Sequence, residues 1–129
     1  MPLVKVSLFK GKSKEEKEAL LDAIHAALME AFKIPENDRN QRIYEFEPEN
    51  FEIPEGKTSN YTLIEMDVFL GRSIEAKRKL YQTLVQNLQR LNIQAIDILI
   101  VLNEPQLDNW SVRGGVPASE TDLGFRIDV

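Results

Sequence analysis

The sequence repeats itself with an offset of sixty residues. Residues 4–13 align with residues 64–73, and each run ends in a glycine, a basic residue and a serine. A period of this kind indicates duplicated structural units, so it constrains the fold before any single element is considered. We therefore predict one domain that contains two copies of one unit. The predicted boundaries are 1–129 for the domain, about 2–58 and 60–117 for the two units, and 118–129 for a C-terminal arm.

Each unit is predicted to fold as a strand, a helix and a second strand. Alternating apolar residues open both units, which is typical of a strand with one buried face. Ser13 and Ser73 are placed to cap the helices that follow, and Glu16 completes a capping box in the first unit only. The second strands are predicted over residues 37–47 and 96–103, and each ends at a Glu-Pro pair. The alternating residues are Val4, Val6 and Leu8 in the first unit and Ile64, Met66 and Val68 in the second.

Both predicted helices carry an apolar stripe, which favours packing against one face of a sheet. Two right-handed β-α-β units then give an α/β (α+β) fold, one sheet with two helices on one face. The other face keeps apolar residues at Leu63, Phe69, Leu99 and Val101, and no helix remains to cover it. We therefore predict self-association as a closed ring of three subunits. The C-terminal arm is expected to end in a short strand that reaches a neighbouring subunit.

The composition excludes several classes of protein. A net charge of −5 argues against a nucleic-acid-binding surface, which needs clustered basic residues. Cysteine is absent and His25 is the single histidine, so we expect no disulfide and no metal site. The longest apolar run, residues 98–102, is too short to span a bilayer, and no signal-like segment opens the chain. We predict a cytoplasmic protein with no membrane partner.

Pro2 is the first candidate functional residue. It follows Met1 directly, and Met1 is usually removed before a small second residue. The chain would then begin with the secondary amine of a proline, which is a strong candidate base. All other prolines have their nitrogen locked in an amide. An inert, frayed terminus is the alternative interpretation.

Arg72 is predicted to lie near Pro2. If the two units are related by an approximate two-fold axis, their first strands run antiparallel, and the start of one lies near the end of the other. Arg72 also precedes a helix N-terminus, which favours anions, and a guanidinium binds a carboxylate with two hydrogen bonds. The equivalent pair, Thr62 and Lys12, has no free amine. We therefore predict one catalytic centre per subunit and a small carboxylate as the substrate.

The Pro2 amine could act as a base only if it were neutral near pH 7. An ordinary amine at a chain start is mostly protonated there. Burial against apolar groups such as Trp110, and the positive charge of Arg72, would both lower the pKa of the amine. The neutral amine could then take a proton from the carbon next to a carbonyl and return it elsewhere, as general base and then general acid.

These residues resemble the tautomerase superfamily, whose small β-α-β proteins use an amino-terminal proline. The resemblance rests on Met-Pro-Leu at residues 1–3, on the Gly-basic-Ser motifs at 11–13 and 71–73, and on Asn-Trp-Ser-Val-Arg-Gly-Gly at 109–115. The segment Asp-Arg-Asn-Gln at 38–41 is most similar to the malonate semialdehyde decarboxylase branch. The resemblance implies a homotrimer, no cofactor, and small 2-oxo or unsaturated acids as substrates.

The resemblance also implies roles for individual residues. Pro2 matches the catalytic amine, and Arg72 matches an arginine that binds the substrate carboxylate. Asp38 matches the acid that positions or activates water in the decarboxylases, although it also suits a simple turn in its local sequence. Trp110 falls at an aromatic pocket position, although packing in the core or between subunits is an equal alternative.

One position departs from the decarboxylase pattern. The decarboxylases carry a second arginine just upstream of the one matched by Arg72, whereas this chain has Phe69 and Leu70 there. Arg42 or Arg113 could supply the missing charge. Arg42 resembles an arginine that contacts substrate from an adjacent strand in the smaller tautomerases.

Three functions follow from this reasoning. The leading one is a tautomerase of a small 2-oxo acid that uses the Pro2 amine. The second is decarboxylation or hydration of a three-carbon acid, with Asp38 directing water. The third is a non-enzymatic module that binds small molecules, because the β-α-β-β-α-β order also suits a ferredoxin-like regulatory domain. A retained Met1 would favour the third.

Overall fold

The computed structural model describes residues 2–129. Met1 lies outside the described residues, and so does the prediction that it is removed. Four strands and two α-helices alternate along the chain in the predicted order. Their bounds are β1 Pro2–Phe9, α1 Lys14–Phe32, β2 Gln41–Phe46, β3 Thr62–Val68, α2 Ile74–Gln89 and β4 Ile98–Asn103.

The four strands form one sheet in the order β2-β1-β3-β4. Each unit contributes a parallel pair, β1 with β2 and β3 with β4. The two units meet where β1 pairs antiparallel with β3, so that Pro2 lies opposite Val68 and Val6 lies opposite Ile64. The two β-α-β units and the antiparallel contact of their first strands are therefore confirmed.

Serine caps both helices, as the sequence predicts. The Ser13 hydroxyl accepts a hydrogen bond from the Glu16 backbone N–H at 3.1 Å, and the Glu16 carboxylate accepts one from the Ser13 N–H at 3.0 Å. Ser73 accepts from the Ala76 N–H at 3.1 Å without a reciprocal bond, because alanine has no side-chain acceptor. These bonds satisfy amide groups that a helix start otherwise leaves free.

The hydrophobic core lies between the two helices and one face of the sheet. The predicted stripes of both helices face this core. Leu91, which the sequence places at the end of the second stripe, lies beyond the last residue of α2 and is half-buried. Because the alternating residues of β1 and β3 meet the same stripes, one layer of apolar side chains joins sheet and helices. The buried stripe residues are Leu20, Ile24, Ala27, Leu28, Ala31, Leu80, Leu84 and Leu88.

The second strand of each unit is shorter than predicted. Residues 37–40 form no strand, because the Asp38 N–H bonds the carbonyl of Pro35 in a turn. In the second unit, a short 3-10 turn over Ala95–Asp97 precedes β4, so the predicted start at Ile96 is also wrong. In each connection between helix and strand, a backbone N–H bonds a carbonyl three residues earlier, as Asp38 bonds Pro35 and Asp97 bonds Gln94, and a group used in this way is not free to pair with a neighbouring strand.

The face of the sheet away from the helices is only partly open. Leu99 and Val101 are 46% and 38% exposed, as expected for a face without helices. Phe69 is 1% exposed, so the prediction that it needs cover from another subunit is wrong. The rings of Trp110 and Phe125 cover it, with centroids 4.7 and 6.3 Å from its own.

The C-terminal arm packs against its own chain, which corrects a second expectation. It contains a 3-10 turn over Ala118–Glu120 and no strand after that. The Ser73 backbone N–H donates to the Val129 carbonyl oxygen at 2.9 Å. A Cβ atom at Gly71 would stand 3.3 Å from the carbonyl oxygen of Ile127, so this glycine permits the close approach of the arm.

Candidate functional site

A cavity of about 260 Å³ lies at the end of the sheet where β1 begins and β3 ends. Its walls are mostly apolar, and they carry one carboxylate and one guanidinium. A few polar groups on an apolar surface are typical of sites that bind small molecules. The lining residues are Pro35, Asn37, Asp38, Phe69, Val112, Arg113, Leu123 and Phe125.

Pro2 is buried beside this cavity. It is the first residue of β1 and pairs with Val68, whose sequence neighbour Phe69 is part of the cavity wall. Pro2 itself is not among the lining residues. The antiparallel register therefore brings the start of the chain to the wall of the cavity.

Arg72 is buried in the same region and is only 6% exposed. Its guanidinium lies over the ring of Phe32, 4.7 Å from the ring centroid. Its Nη1 donates to the Phe69 carbonyl oxygen at 3.1 Å. The buried Nε forms no hydrogen bond with any residue of the described chain. A buried donor without a partner is costly to the fold. Arg72 is not among the residues that line the cavity.

Two carboxylates act on Arg72. Burial lowers the pKa of Arg72, while the negative charges of Glu104 and Asp38 oppose that shift. Glu104 Oε1 accepts from Lys77 Nζ at 2.7 Å, and its Oε2 is buried without a partner in the described part of the chain. Glu104 is absent from the sequence prediction, which used its Glu-Pro pair only to mark the end of a strand.

Asp38 lies on a turn that is held by a hydrogen bond within the turn and by a contact to helix α1. The turn is closed by the bond from the Asp38 N–H to the Pro35 carbonyl at 3.1 Å. His25, which is 2% exposed on α1, places its Nε2 2.8 Å from the carbonyl oxygen of Glu36 in the same turn. Asp38 is therefore fixed at the rim of the cavity by a local turn and by a contact to the helix.

Arg113 and Trp110 occupy different positions relative to the cavity. Arg113 lines it and donates from Nη2 to the Asp122 carbonyl oxygen at 2.6 Å, which ties the C-terminal arm in place. Trp110 is 9% exposed and does not line the cavity; its ring packs on Phe69 and its Nε1 donates to the Pro105 carbonyl at 3.1 Å. Trp110 thus supports the cavity wall from outside.

Arg42 lies away from the cavity within this chain. It pairs in register with Lys5 on the face of the sheet opposite the helices, and it is exposed. Its guanidinium lies over the ring of Tyr44, 5.7 Å from the centroid. Of the predicted site residues, the structure brings Pro2, Asp38, Arg72 and Arg113 together at one end of the sheet.

Comparison with known sequences identifies the family. One sequence profile described as "Tautomerase enzyme" matches residues 38–113, and a second with the same description matches residues 2–59. The chain belongs to the tautomerase family. A curated tautomerase relative, probable tautomerase YrdN of Bacillus subtilis (strain 168), is 30% identical over 118 residues, which are 86% of this chain and 90% of YrdN. Probable tautomerase YusQ of the same organism is 26% identical over 121 residues, 89% and 95% of the two chains.

Solved structures share the tautomerase fold over nearly the whole chain. Malonate semialdehyde decarboxylase is 31% identical, with a TM-score of 0.82 over 91% of this chain and 94% of the decarboxylase. Native fused 4-OT is 17% identical, with a TM-score of 0.83 over 95% and 99%, which shows the fold alone. The superfamily resemblance predicted from the sequence is confirmed.

Two other kinds of site are not found among residues 2–129. No three carboxylate or imidazole side chains of this part of the chain stand close enough to hold a metal ion. Neither α1 nor α2 combines the length and apolar character that crossing a membrane would require.

Proposed function

We propose that this member of the tautomerase family is a cofactor-independent isomerase of small 2-oxo acids, with the Pro2 amine as general base and then general acid. The observation that carries the proposal is the register of β1 and β3. It pairs Pro2 with Val68 at the wall of a cavity that holds Asp38 and lies beside the buried Arg72. The sequence analysis placed Arg72 near Pro2 from this same antiparallel pairing, and the observed register supports a shared site for the two residues.

The proposed reaction moves one proton. The neutral Pro2 amine takes a proton from the carbon next to the substrate carbonyl, so that a C–H bond breaks and an N–H bond forms. The resulting ammonium returns that proton to another atom of the same enol system. Arg72 binds the substrate carboxylate, and its unpartnered buried Nε is the donor that supports this role. Phe69 and Phe125 offer an apolar surface to the rest of the substrate.

Arg113 is the better candidate for a second carboxylate contact. It lines the same cavity as Asp38, whereas Arg42 does not line that cavity. Arg42 could reach a site only in another subunit. Trp110 acts in this proposal through Phe69, by keeping that ring against the cavity.

We further propose that the chain assembles as a homotrimer. Leu99 and Val101 remain exposed on the face of the sheet away from the helices, and burying them would stabilise an assembly. Solved fused 4-OT proteins of the same fold form trimers. A cytoplasmic location and the absence of a cofactor stay predictions from the sequence.

The titration of the chain's first amine tests the proposed function. We expect intact-protein mass to show loss of Met1, and pH-dependent labelling to show an amine pKa below that of an ordinary prolyl amine, because burial and Arg72 disfavour its charged form. Enol-to-keto conversion of a 2-oxo acid should fall as the pH drops through that pKa, because the ammonium cannot accept a proton. A retained Met1 would instead favour a module that only binds small molecules.

A second candidate function is decarboxylation or hydration of a three-carbon acid. Asp38 in the cavity lining favours this function. The 31% identity to malonate semialdehyde decarboxylase also favours it, because the structure of that enzyme provides a basis for decarboxylase and hydratase activities. In this reaction Asp38 would direct a water molecule.

Replacing Asp38 with asparagine separates the two candidate functions. We expect Asp38→Asn to remove any carbon dioxide release or hydration shown by the unchanged protein, because an amide cannot accept a proton from water. Enol-to-keto conversion should remain within about tenfold of its original rate, since that reaction needs the amine rather than Asp38. Asn37→Ala is the matched control, because it alters the same cavity without removing a carboxylate. Carbon dioxide release that survives in Asp38→Asn would contradict the water-directing role.

A further inference from the structure

A cavity of about 500 Å³ lies at the opposite end of the β1 and β3 pair. It is related to the proposed active site by the sixty-residue repeat, which equates Gly11 with Gly71 and Lys12 with Arg72. Thr62 stands where Pro2 stands in the other half. The lining residues are Leu8, Phe9, Lys10, Gly11, Lys12, Glu16, Pro48, Ser59, Asn60 and Tyr61.

The two ends of the sheet differ in their cover. Gly11 and Gly71 have nearly the same backbone conformation, with φ of 131° and 139°. A Cβ at Gly71 would meet Ile127 of the C-terminal arm at 3.3 Å, whereas a Cβ at Gly11 would meet nothing within 4 Å. The arm therefore fills one end, and the equivalent space at the other end is open.

Two side chains at the open end have unused polar groups. Tyr61 is 5% exposed and its ring packs on Phe51, with centroids 5.9 Å apart, yet its hydroxyl forms no hydrogen bond with any residue from 2 to 129. Lys12 forms no ion pair within that same range, whereas the neighbouring Lys10 is paired with Glu47 at 3.0 Å. Tyr61 lines the cavity, so its hydroxyl can donate a hydrogen bond to an acceptor that enters from outside the chain.

We propose that this cavity is a second binding site, for a small monocarboxylic acid. The Lys12 ammonium pairs with the carboxylate, and the Tyr61 hydroxyl donates to an oxygen of the same ligand. Leu8, Phe9 and Pro48 contact its short apolar part. The site binds without reacting, because Thr62 is inside the chain and has no free amine.

Glu16 explains the preference for a single negative charge. Its carboxylate lies in the lining and accepts a hydrogen bond from the Ser13 backbone N–H at 3.0 Å. It attracts the Lys12 charge without forming an ion pair with it in the described chain. A second carboxylate on the ligand would meet Glu16 and be repelled. The Ser13 cap already occupies amide groups of the helix start, so side chains rather than the helix end bind the acid.

An NMR titration of the full chain with 2-oxobutyrate tests the proposal. We expect saturable shifts of the Gly11, Lys12 and Asn60 amide signals. Lys12→Gln should weaken this binding about tenfold or more, and Tyr61→Phe, which keeps the ring packing, should weaken it severalfold. Lys14→Gln is the matched control, because Lys14 is only two residues from Lys12 but its side chain is 84% exposed and lies outside the lining.

Binding of 2-oxobutyrate at the second site can be tested independently of the proposed catalysis by Pro2. Binding at Gly11 and Lys12 should persist in Pro2→Ala, and turnover should be unchanged in Lys12→Gln. Shifts at these amides that never saturate, or that have the same midpoint in Lys12→Gln as in the unchanged protein, would overturn the second site. Equal affinity for a dicarboxylate such as 2-oxoglutarate would overturn the preference for one charge. Unchanged thermal unfolding of both variants would show that lost binding is not lost folding.

Discussion

Pro2→Ala is expected to lower the turnover of a small 2-oxo acid by about 10²-fold or more, which is the usual range for removing a general acid-base group. The variant replaces a cyclic secondary amine, fixed at the start of β1 opposite Val68, by a primary amine that can rotate. Alanine keeps the backbone carbonyl of residue 2 and an amine at the start of the chain, so the substitution removes no backbone hydrogen-bonding group from the strand. Steady-state kinetics should therefore show a loss in kcat while the circular dichroism spectrum and the thermal midpoint stay close to those of the unchanged protein.

Pro54→Ala provides the matched control for this prediction. Pro54 is exposed in the connection before β3, and its nitrogen is part of an amide, so it offers no base. Its activity should equal that of the unchanged protein. Full activity in Pro2→Ala, with Met1 removed in both proteins, would show that the amine mechanism is wrong.

The repeat predicted the fold because the information needed for each unit is local. A strand with alternating apolar residues, a glycine turn and a capping serine recur at the same spacing, and each copy folds the same way. The antiparallel contact of β1 and β3 follows from the approximate symmetry. One error is local: residues 37–40 turn instead of extending, because the Asp38 N–H bonds the Pro35 carbonyl. The error at Phe69 depends on distant parts of the chain, because Trp110 and Phe125 cover its ring.

The candidate site was predictable only in part for the same reason. Pro2 and Arg72 could be brought together from the strand register alone. The ring of Phe32 beneath Arg72 and the carboxylate of Glu104 near it depend on tertiary packing, and neither has a motif of its own. The contribution of Phe125 to the cavity depends on where the C-terminal arm folds back, which no periodic pattern encodes.

Arg72→Lys is expected to lower kcat/KM for a 2-oxo acid by about 10- to 100-fold, the equivalent of one charge-assisted hydrogen bond, mainly by raising KM. Lysine keeps the positive charge but loses both the flat surface that lies over Phe32 and the Nε–H that has no partner in the described chain. Arg78→Lys, an exposed change in α2, the helix that follows Arg72, should leave both constants unaltered. Steady-state kinetics should therefore show a higher KM in Arg72→Lys than in Arg78→Lys.

A second substrate separates a binding role for Arg72 from a structural one. The methyl ester of the same acid lacks the carboxylate charge, so its turnover should fall much less in Arg72→Lys than turnover of the free acid. Because Arg72 is buried and bonded to the Phe69 carbonyl, the variant should also unfold more easily, and that loss affects both substrates equally. Equal losses for acid and ester would assign Arg72 to the support of the Phe69 wall. A loss confined to the acid would assign the unpartnered donor to the substrate carboxylate.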